Sequence, residues 1–329
     1  MDCTESEKNE YFWIMHSVFI LSLPVYSAAI IALFQTKSTY FETYKLFLIW
    51  HTATNLLAEL LNSWFLIPVV HLPLPLLRFT GIFSQWGFSG LFQFLIIGAM
   101  IYQTAYSVFE MFMFRFRASL FDYKSRPFFL YLKVNTYAFR GVLFGFIVFN
   151  CFAYRIGLEH QQEIRQNLWL NHPSASILVT CPTVIVAAPF DDPVAMFNMI
   201  VWPFVVLITF ISTTATTVYL KRNLKENAQQ SAAVVRMHRM LLITLSVQTA
   251  IHGIMLGIPN SLFIFAAFFG VRHESVAKFA FIFLTFHGFA STLAMILLTK
   301  PIKVTVLQMI RCKSSEKVVD CSRRLSQKI

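Results

Sequence analysis

Thr52, Asn55, Glu59 and Asn62 follow one another at steps of three, four and three residues within an otherwise apolar run, residues 46–70. On a helix that spacing puts all four polar side chains on one face. A carboxyl group among amides and a hydroxyl, inside a hydrophobic segment, must face other helices or a wet cavity. Two chemistries fit the stripe. One is an ion or water site that changes between conformations. The other is a set of interhelical hydrogen bonds that fixes a bundle. Glu59 is the member with the most chemistry to offer. A second carboxylate, Glu110, stands five residues before Arg115 near the end of another apolar run. The two could form an ion pair that breaks on activation, or be two separate boundary charges.

Catalytic patterns are missing from the rest of the chain. The nine histidines show no His-x-x-x-His or His-Glu-x-x-His spacing that would hold a metal on one helix face. No Gly-x-Ser-x-Gly elbow and no glycine-rich phosphate loop occurs among the 11 glycines. The sequence is therefore read as a non-enzyme with no metal and no cofactor.

The polar groups must be positioned by the apolar runs that contain them. There are seven, covering roughly residues 11–34, 46–70, 81–114, 136–154, 194–220, 240–270 and 279–299. Each reaches the length, about 20 residues, at which a helix crosses a hydrocarbon core. Only a helix or a closed barrel satisfies its backbone in lipid. The composition agrees, with 57% hydrophobic residues, 36 phenylalanines and 13% charged residues, against roughly 25% charged in soluble domains. The expected fold is an all-α membrane protein, a seven-helix bundle. Its expected divisions are a tail over 1–10, a membrane domain over 11–299 and a second tail over 300–329.

Lys and Arg fall on alternate connections. The first, third and fifth loops and the C-terminal tail carry two, five, five and eight, or 20 together, against six on the opposite side; Arg140 lies within the fourth run. Basic loops stay in the cytoplasm, which predicts an outside N-terminus and a cytoplasmic C-terminus. The net charge of +11 then needs no nucleic acid. It orients the chain and attracts the anionic inner leaflet of a lipid bilayer. The first ten residues hold four acids and one lysine, unlike the basic start of a cleavable signal peptide.

Lesser features fill in the picture. Cys3 and Cys181 fall on the same outer side, where a disulfide between them is permitted. Cys312, flanked by Arg311 and Lys313, is a candidate palmitoylation site. Pro24, Pro68, Pro203 and Pro259 each remove a helix hydrogen bond and allow a kink. Arg140 is expected to snorkel along its own stem toward the headgroups. The fifth loop, 221–239, reads as helical extensions reaching into the cytoplasm.

The last run reads His287-Gly288-Phe289-Ala290-Ser291-Thr292-Leu293-Ala294-Met295, followed by Lys300-Pro301-Ile302-Lys303. This resembles the signature of nematode serpentine chemoreceptors of the Str superfamily, class H in particular, with class I as the alternative. Gln248 through Pro259 is similar to the family's sixth-span pattern, and His51 and Pro68 fit the second. The resemblance implies a G-protein-coupled receptor, a small odorant or pheromone bound among the outer half-helices, and a heterotrimeric G protein at the cytoplasmic face. It implies the plasma membrane, and the ciliary membrane of a sensory neuron. Ligand candidates under this reading are Trp64, Gln93, Trp202 and His252. Asn55, Glu59, Asn62, Glu110, Arg115, Gln248, Pro259, His287 and Ser291 are candidates for a polar switch. Arg117, Lys124, Arg126, Lys221, Arg222, Arg236 and Arg239 would face the G protein.

The sequence departs from the pattern in two places. Phe112 occupies the position where class H members carry an arginine after Glu110, and Glu59 is displaced by one from the usual acid of the second span. Two other classes compete with the receptor. A seven-span ligand-gated cation channel would place the N-terminus inside, and a transporter would show uptake.

Overall fold

The computed structural model of the chain describes residues 10–36, 42–71, 76–119, 124, 127–171, 177–186, 192–226, 232–269 and 274–313. Helix α1 covers Glu10–Gln35 and α2 covers Glu42–Leu60, continued by a π-helical turn over Leu61–Leu66. A hairpin follows, β1 Pro68–His71 and β2 Leu76–Phe79, then the short α3 Ile82–Gln85 and the long α4 Gly90–Ser119. Helix α5 runs Pro127–Asn171, strand β3 covers Val184–Val186, and α6 covers Pro193–Glu226. Next come α7 Ala232–His252, a second π-helical turn over Gly253–Gly257, and α8 Ile258–Phe269. Helices α9 Glu274–Thr285 and α10 His287–Leu298 form one broken rod, and α11 Lys300–Lys313 completes the described chain.

Six of these rods are long and apolar enough to cross a membrane: α1, α4, α5, α6, α7 with its continuation, and α9 with α10. The seventh is α2 with its π turn, whose hydropathy is lowered by the polar stripe predicted on it. The architecture is the expected all-α seven-helix bundle. Helix α4 is its pillar and packs against α2, α5, α6 and α7, while α10 packs against α1, α2 and α7. Outward faces carry bare aromatic and aliphatic side chains, such as Phe144 and Phe152 on α5. That surface is suited to lipid, not water.

The boundaries differ from the expected ones in instructive ways. The second apolar run does not continue to residue 70 as helix. It turns at Ile67, whose φ of 43° is rare for a β-branched residue, and Pro68 begins a strand instead of kinking a span. The third run begins not at Gly81 but at Gly90, after α3 and a turn at Gly87 with φ of 80°. Helix α5 is 45 residues long, about 68 Å at 1.5 Å per residue, more than twice a hydrocarbon core. Its last turns occupy half of what reads in the sequence as a loop over 155–193.

The remainder of that loop supplies β3, which pairs antiparallel with β2, as β2 does with β1. A three-stranded sheet thus closes one end of the bundle, an element absent from the all-α expectation. Gln161 on α5 fastens it: its Oε1 accepts Val186 N–H at 2.9 Å, and its Nε2 donates to Val186 O at 3.1 Å and to Asp192 Oδ2 at 2.6 Å. Arg165 Nη1 donates to Val184 O at 2.8 Å. Beneath the sheet, Gly90 N–H donates to Pro182 O at 2.8 Å. A Cβ at Gly90 would lie 2.8 Å from Thr183 O, so this approach requires glycine.

The opposite end is basic. Arg117, Lys124, Lys221, Arg222, Arg236 and Arg239 are all exposed there, and α6 and α7 extend as the fifth loop predicts. Arg126 lies outside the described residues. What reads as a plain tail from residue 300 begins as α11, whose Ile302 is fully buried in the core at this end. Thr305 Oγ1 lies 3.4 Å from Thr36 Oγ1, just past the end of α1. Truncation before Pro301 exposes the apolar floor that Ile302 covers. Surface expression of the truncated chain is expected to collapse, whereas truncation after Lys313 leaves it near normal, as read by flow cytometry.

Candidate functional site

The predicted stripe on α2 does face the interior. Thr52, Asn55 and Glu59 are buried almost completely, and Asn62 nearly so. Around them lies a polar layer drawn from five of the seven rods. Tyr26 of α1 donates its hydroxyl to Glu59 Oε2 at 2.8 Å. His51 of α2 has Nδ1 2.7 Å from Ser107 Oγ of α4, and Ser107 donates that hydroxyl's proton to Thr104 O at 2.7 Å. The His51 Nδ1 must therefore carry the ring proton, and its Nε2 accepts from Asn55 Nδ2 at 3.1 Å. Each step fixes the direction of the next, a chain from α2 into α4.

Helices α7 and α10 complete the layer. Gln248 Nε2 donates to Ser291 Oγ at 3.3 Å, and Ser291 Oγ lies 3.4 Å from His51 Nε2. The rings of His51 and His252 have centroids 5.1 Å apart, and those of His252 and His287 5.3 Å apart. His252 Nδ1 is 2.6 Å from Gln248 O, and His287 Nδ1 is 2.6 Å from Leu284 O, just before the break between α9 and α10. Three histidines from three rods thus lie ring beside ring, tilted and edge-on, through the middle of the bundle. Among the described residues, no group of three or more His, Cys, Asp or Glu side chains is placed to hold a metal ion.

Close approach of α10 to α1 and α2 is what lets this layer close. A Cβ at Gly288 would overlap Tyr26 Oη and lie 2.9 Å from Asn55 Cβ. Two π-helical turns lie beside the layer, Leu61–Leu66 after Glu59 and Gly253–Gly257 after His252. Pro259 follows the second. Such turns replace regular helix bonds with looser ones and mark places where a helix can change.

The structure scatters the four ligand candidates. Trp64 stands in the first π turn, its ring 4.8 Å from His16. Gln93 is fully buried and locked locally, with Nε2 donating to Phe88 O at 3.0 Å and Oε1 accepting from Ser84 Oγ at 3.2 Å. Trp202 lies flat on Gly98, its ring 4.5 Å from Phe94, and acts as packing between α4 and α6. Only His252 joins the polar layer. It also lines a cleft between α4, α6 and α7 together with Thr104, Thr209 and Phe210.

Of the two readings of Glu110 and Arg115, the ion pair between them is not formed. Glu110 instead accepts from Arg140 Nη2 of α5 at 2.6 Å, so Arg140 does not simply snorkel. Five residues turn a helix by well over one revolution, and Arg115 points inward. It is buried with its guanidinium carbon 3.4 Å above the Tyr44 ring, a cation–π contact. Phe112, at the position that departs from the class H pattern, is buried beside it in the core. The Arg140 side chain is half exposed, but on a face suited to lipid within the fourth apolar run, where water does not screen the pair. Arg140→Gln leaves the Glu110 carboxylate without its cation and is expected to lower the thermal midpoint by several degrees. An unchanged midpoint would contradict that.

Cys181 is disulfide-bonded, while Cys3 and the pairing proposed for it lie outside the described residues. Cys312 is in α11, with its side chain likewise outside them. Sequence reading passed over Tyr26, His51, Ser107 and Gly288 as site residues. Of these, His51 and Gly288 carried a signal, since both belong to the family-like motifs.

No curated protein matches the sequence. The family model for the serpentine type 7TM GPCR chemoreceptor Srh matches residues 6–312, nearly the whole of the described bundle together with its signature in α10, and the chain belongs to that family of chemoreceptors.

Proposed function

We propose that this receptor binds a small organic molecule within the helix bundle and passes the event to a heterotrimeric G protein at its basic end. The polar layer carries this reading. It ties α1, α2, α4, α7 and α10 into one buried network, and two of those rods carry π turns right beside it, one at the end of α2 and one between α7 and α8. A ligand that prefers one arrangement of the layer shifts the population toward it. At the basic end a groove of about 580 Å³ lies between α6 and α7, with Lys221, Arg222 and Arg239 around Val218, Val235, Leu242 and Ile243. A basic rim around an apolar floor is the surface an amphipathic acidic helix would dock on.

In this reading the sheet end faces outward with the N-terminus, and the basic end meets the anionic inner leaflet. The receptor resides in the plasma membrane, in the cilium of a sensory neuron. Cells expressing the chain with an N-terminal tag and co-expressed G proteins test it against an odorant panel. Tag staining without permeabilisation and ligand-dependent nucleotide exchange support it. A tag reached only after permeabilisation, with ligand-gated currents, replaces it by a channel.

A further inference from the structure

The polar layer holds more acceptors than donors at one place, and that place opens on a cleft. His252 Nδ1 faces a backbone carbonyl, which can only accept, so a ring with one proton carries it on Nδ1. Nε2 is then a bare lone pair, buried and without a partner among the described residues. The same argument holds for His287, whose Nδ1 faces Leu284 O and whose Nε2 is also unpartnered. Gln248 turns its amide nitrogen to Ser291, which leaves Oε1 unpartnered one helical turn from His252. Buried acceptors left unmade cost about 1–3 kcal/mol each, and a donor supplied from outside recovers that energy.

The cleft beside His252 has the shape to deliver one. Its free interior is about 30 Å³, room for a single hydroxyl-sized group, so the body of a larger molecule must lie in the mouth. Its floor is buried Thr104 and His252, and its sides are mostly Ala105, Val108, Val206 and Leu256. Thr104 Oγ1 is a second unpartnered buried atom on this floor. The mouth lies beside exposed Leu207, Phe210, Ile211 and Ile254, a flank made for lipid. Phe210 covers it by resting on Gly253, where a Cβ would stand 3.0 Å from the ring. Gly253 opens the π-helical turn, so the wall beneath the ring is the part of α7 held most loosely.

We infer that a membrane-dissolved amphiphile with an apolar body and a hydrogen-bond-donating head reaches His252 through the cleft between α6 and α7. A hydroxyl head donates to His252 Nε2 and accepts from the Thr104 hydroxyl, and its chain lies along Val206 and Leu256. Entry displaces Phe210 and draws on the looseness of the Gly253–Gly257 turn. This deepens the receptor reading and rests on it for its consequence, although binding itself needs no G protein.

The test uses the full chain in lipid nanodiscs with two photoreactive probes, a diazirine-bearing eight-carbon primary alcohol and its methyl ether. The alcohol should label peptides around Phe210 and Leu256 about tenfold more than the ether, the worth of one buried hydrogen bond. His252→Phe keeps a ring between His51 and His287 and should erase the preference. Gly253→Leu should suppress labelling by both probes, and Val206→Phe blocks the cleft from the α6 side if Gly253→Leu does not give a monodisperse receptor. Equal labelling by the two probes, or labelling confined to other parts of the chain, overturns the inference. Nucleotide exchange on a co-reconstituted G protein is read separately. Cleft labelling with no exchange for any ligand defeats the receptor reading alone, and exchange driven by ligands that never label the cleft defeats the inference alone.

Discussion

Gly288→Leu leaves no folded receptor at the cell surface, and even Gly288→Ala lowers the thermal midpoint markedly. A Cβ there overlaps Tyr26 Oη and stands 3.2 Å from the Asn55 backbone oxygen. Neither neighbour can give way. The tyrosine hydroxyl is held by Glu59, and the Asn55 carbonyl belongs to the ladder of α2. Only a retreat of α10 makes room, and that retreat opens the contacts of Ser291 with His51 and Gln248. Overpacking alone costs about 1–3 kcal/mol, to which the hydrogen bonds of the layer add. In lipid, helices associate through close packing at small residues because water does not drive them together. Gly141 and Gly145 of α5 are the controls: nothing lies within 4 Å of a Cβ at either. Alanine there should be neutral or stabilise by up to about 1 kcal/mol, the helix-propensity difference. Thermal midpoints of the purified variants in detergent decide it, and a Gly288→Ala midpoint equal to that of Gly141→Ala would defeat the argument.

The seven rods were legible because lipid imposes length and hydropathy directly on sequence. The stripe on α2 was legible because its four members lie on one helix, where spacing alone fixes the face. Legibility ended where partners come from separate rods. His51, His252 and His287 show no spacing in the chain, and only the packing of α2, α7 and α10 brings their rings together. Glu110 looks toward Arg115 in sequence, yet the arrangement of α4 and α5 supplies Arg140 as its partner. Strands β1 and β3 were hidden for a different reason. Short apolar runs such as Val69-Val70 and Val184–Val186 read alike as strand or buried helix; β1 pairs with β2 in a local hairpin, but the pairing of β3 with β2 spans over a hundred residues. Gln93 is read only from its place in an outer half-span, and its bonds to Ser84 and Phe88 depend on the turn at 84–90 that the sequence did not announce.

The second large effect belongs to Glu59. Glu59→Gln should preserve surface expression while shifting ligand-driven nucleotide exchange at least about fivefold in half-maximal concentration, the lower edge of ordinary coupling energies. The substitution keeps the shape and one acceptor for the Tyr26 hydroxyl, so packing around α1 and α2 is retained. It replaces the other carboxyl oxygen with a donor, in a layer where α2 already supplies Asn55 Nδ2 to His51. The chain of directed bonds running through His51 and Ser107 into α4 then has a competing donor one turn from its start. If the layer is a switch, its two arrangements respond unequally and the exchange curve moves. If the layer is only a structural tie, both arrangements lose the same amount and the curve stays put. Tyr26→Phe separates these further, because it removes the Tyr26–Glu59 bond that Glu59→Gln keeps, without altering the carboxyl. A switch gives two variants with different exchange curves at equal surface density. A tie gives a loss of thermal stability, larger for Tyr26→Phe, with unchanged half-maximal concentrations in both variants, and in that case the polar layer holds the bundle together while the signal runs elsewhere.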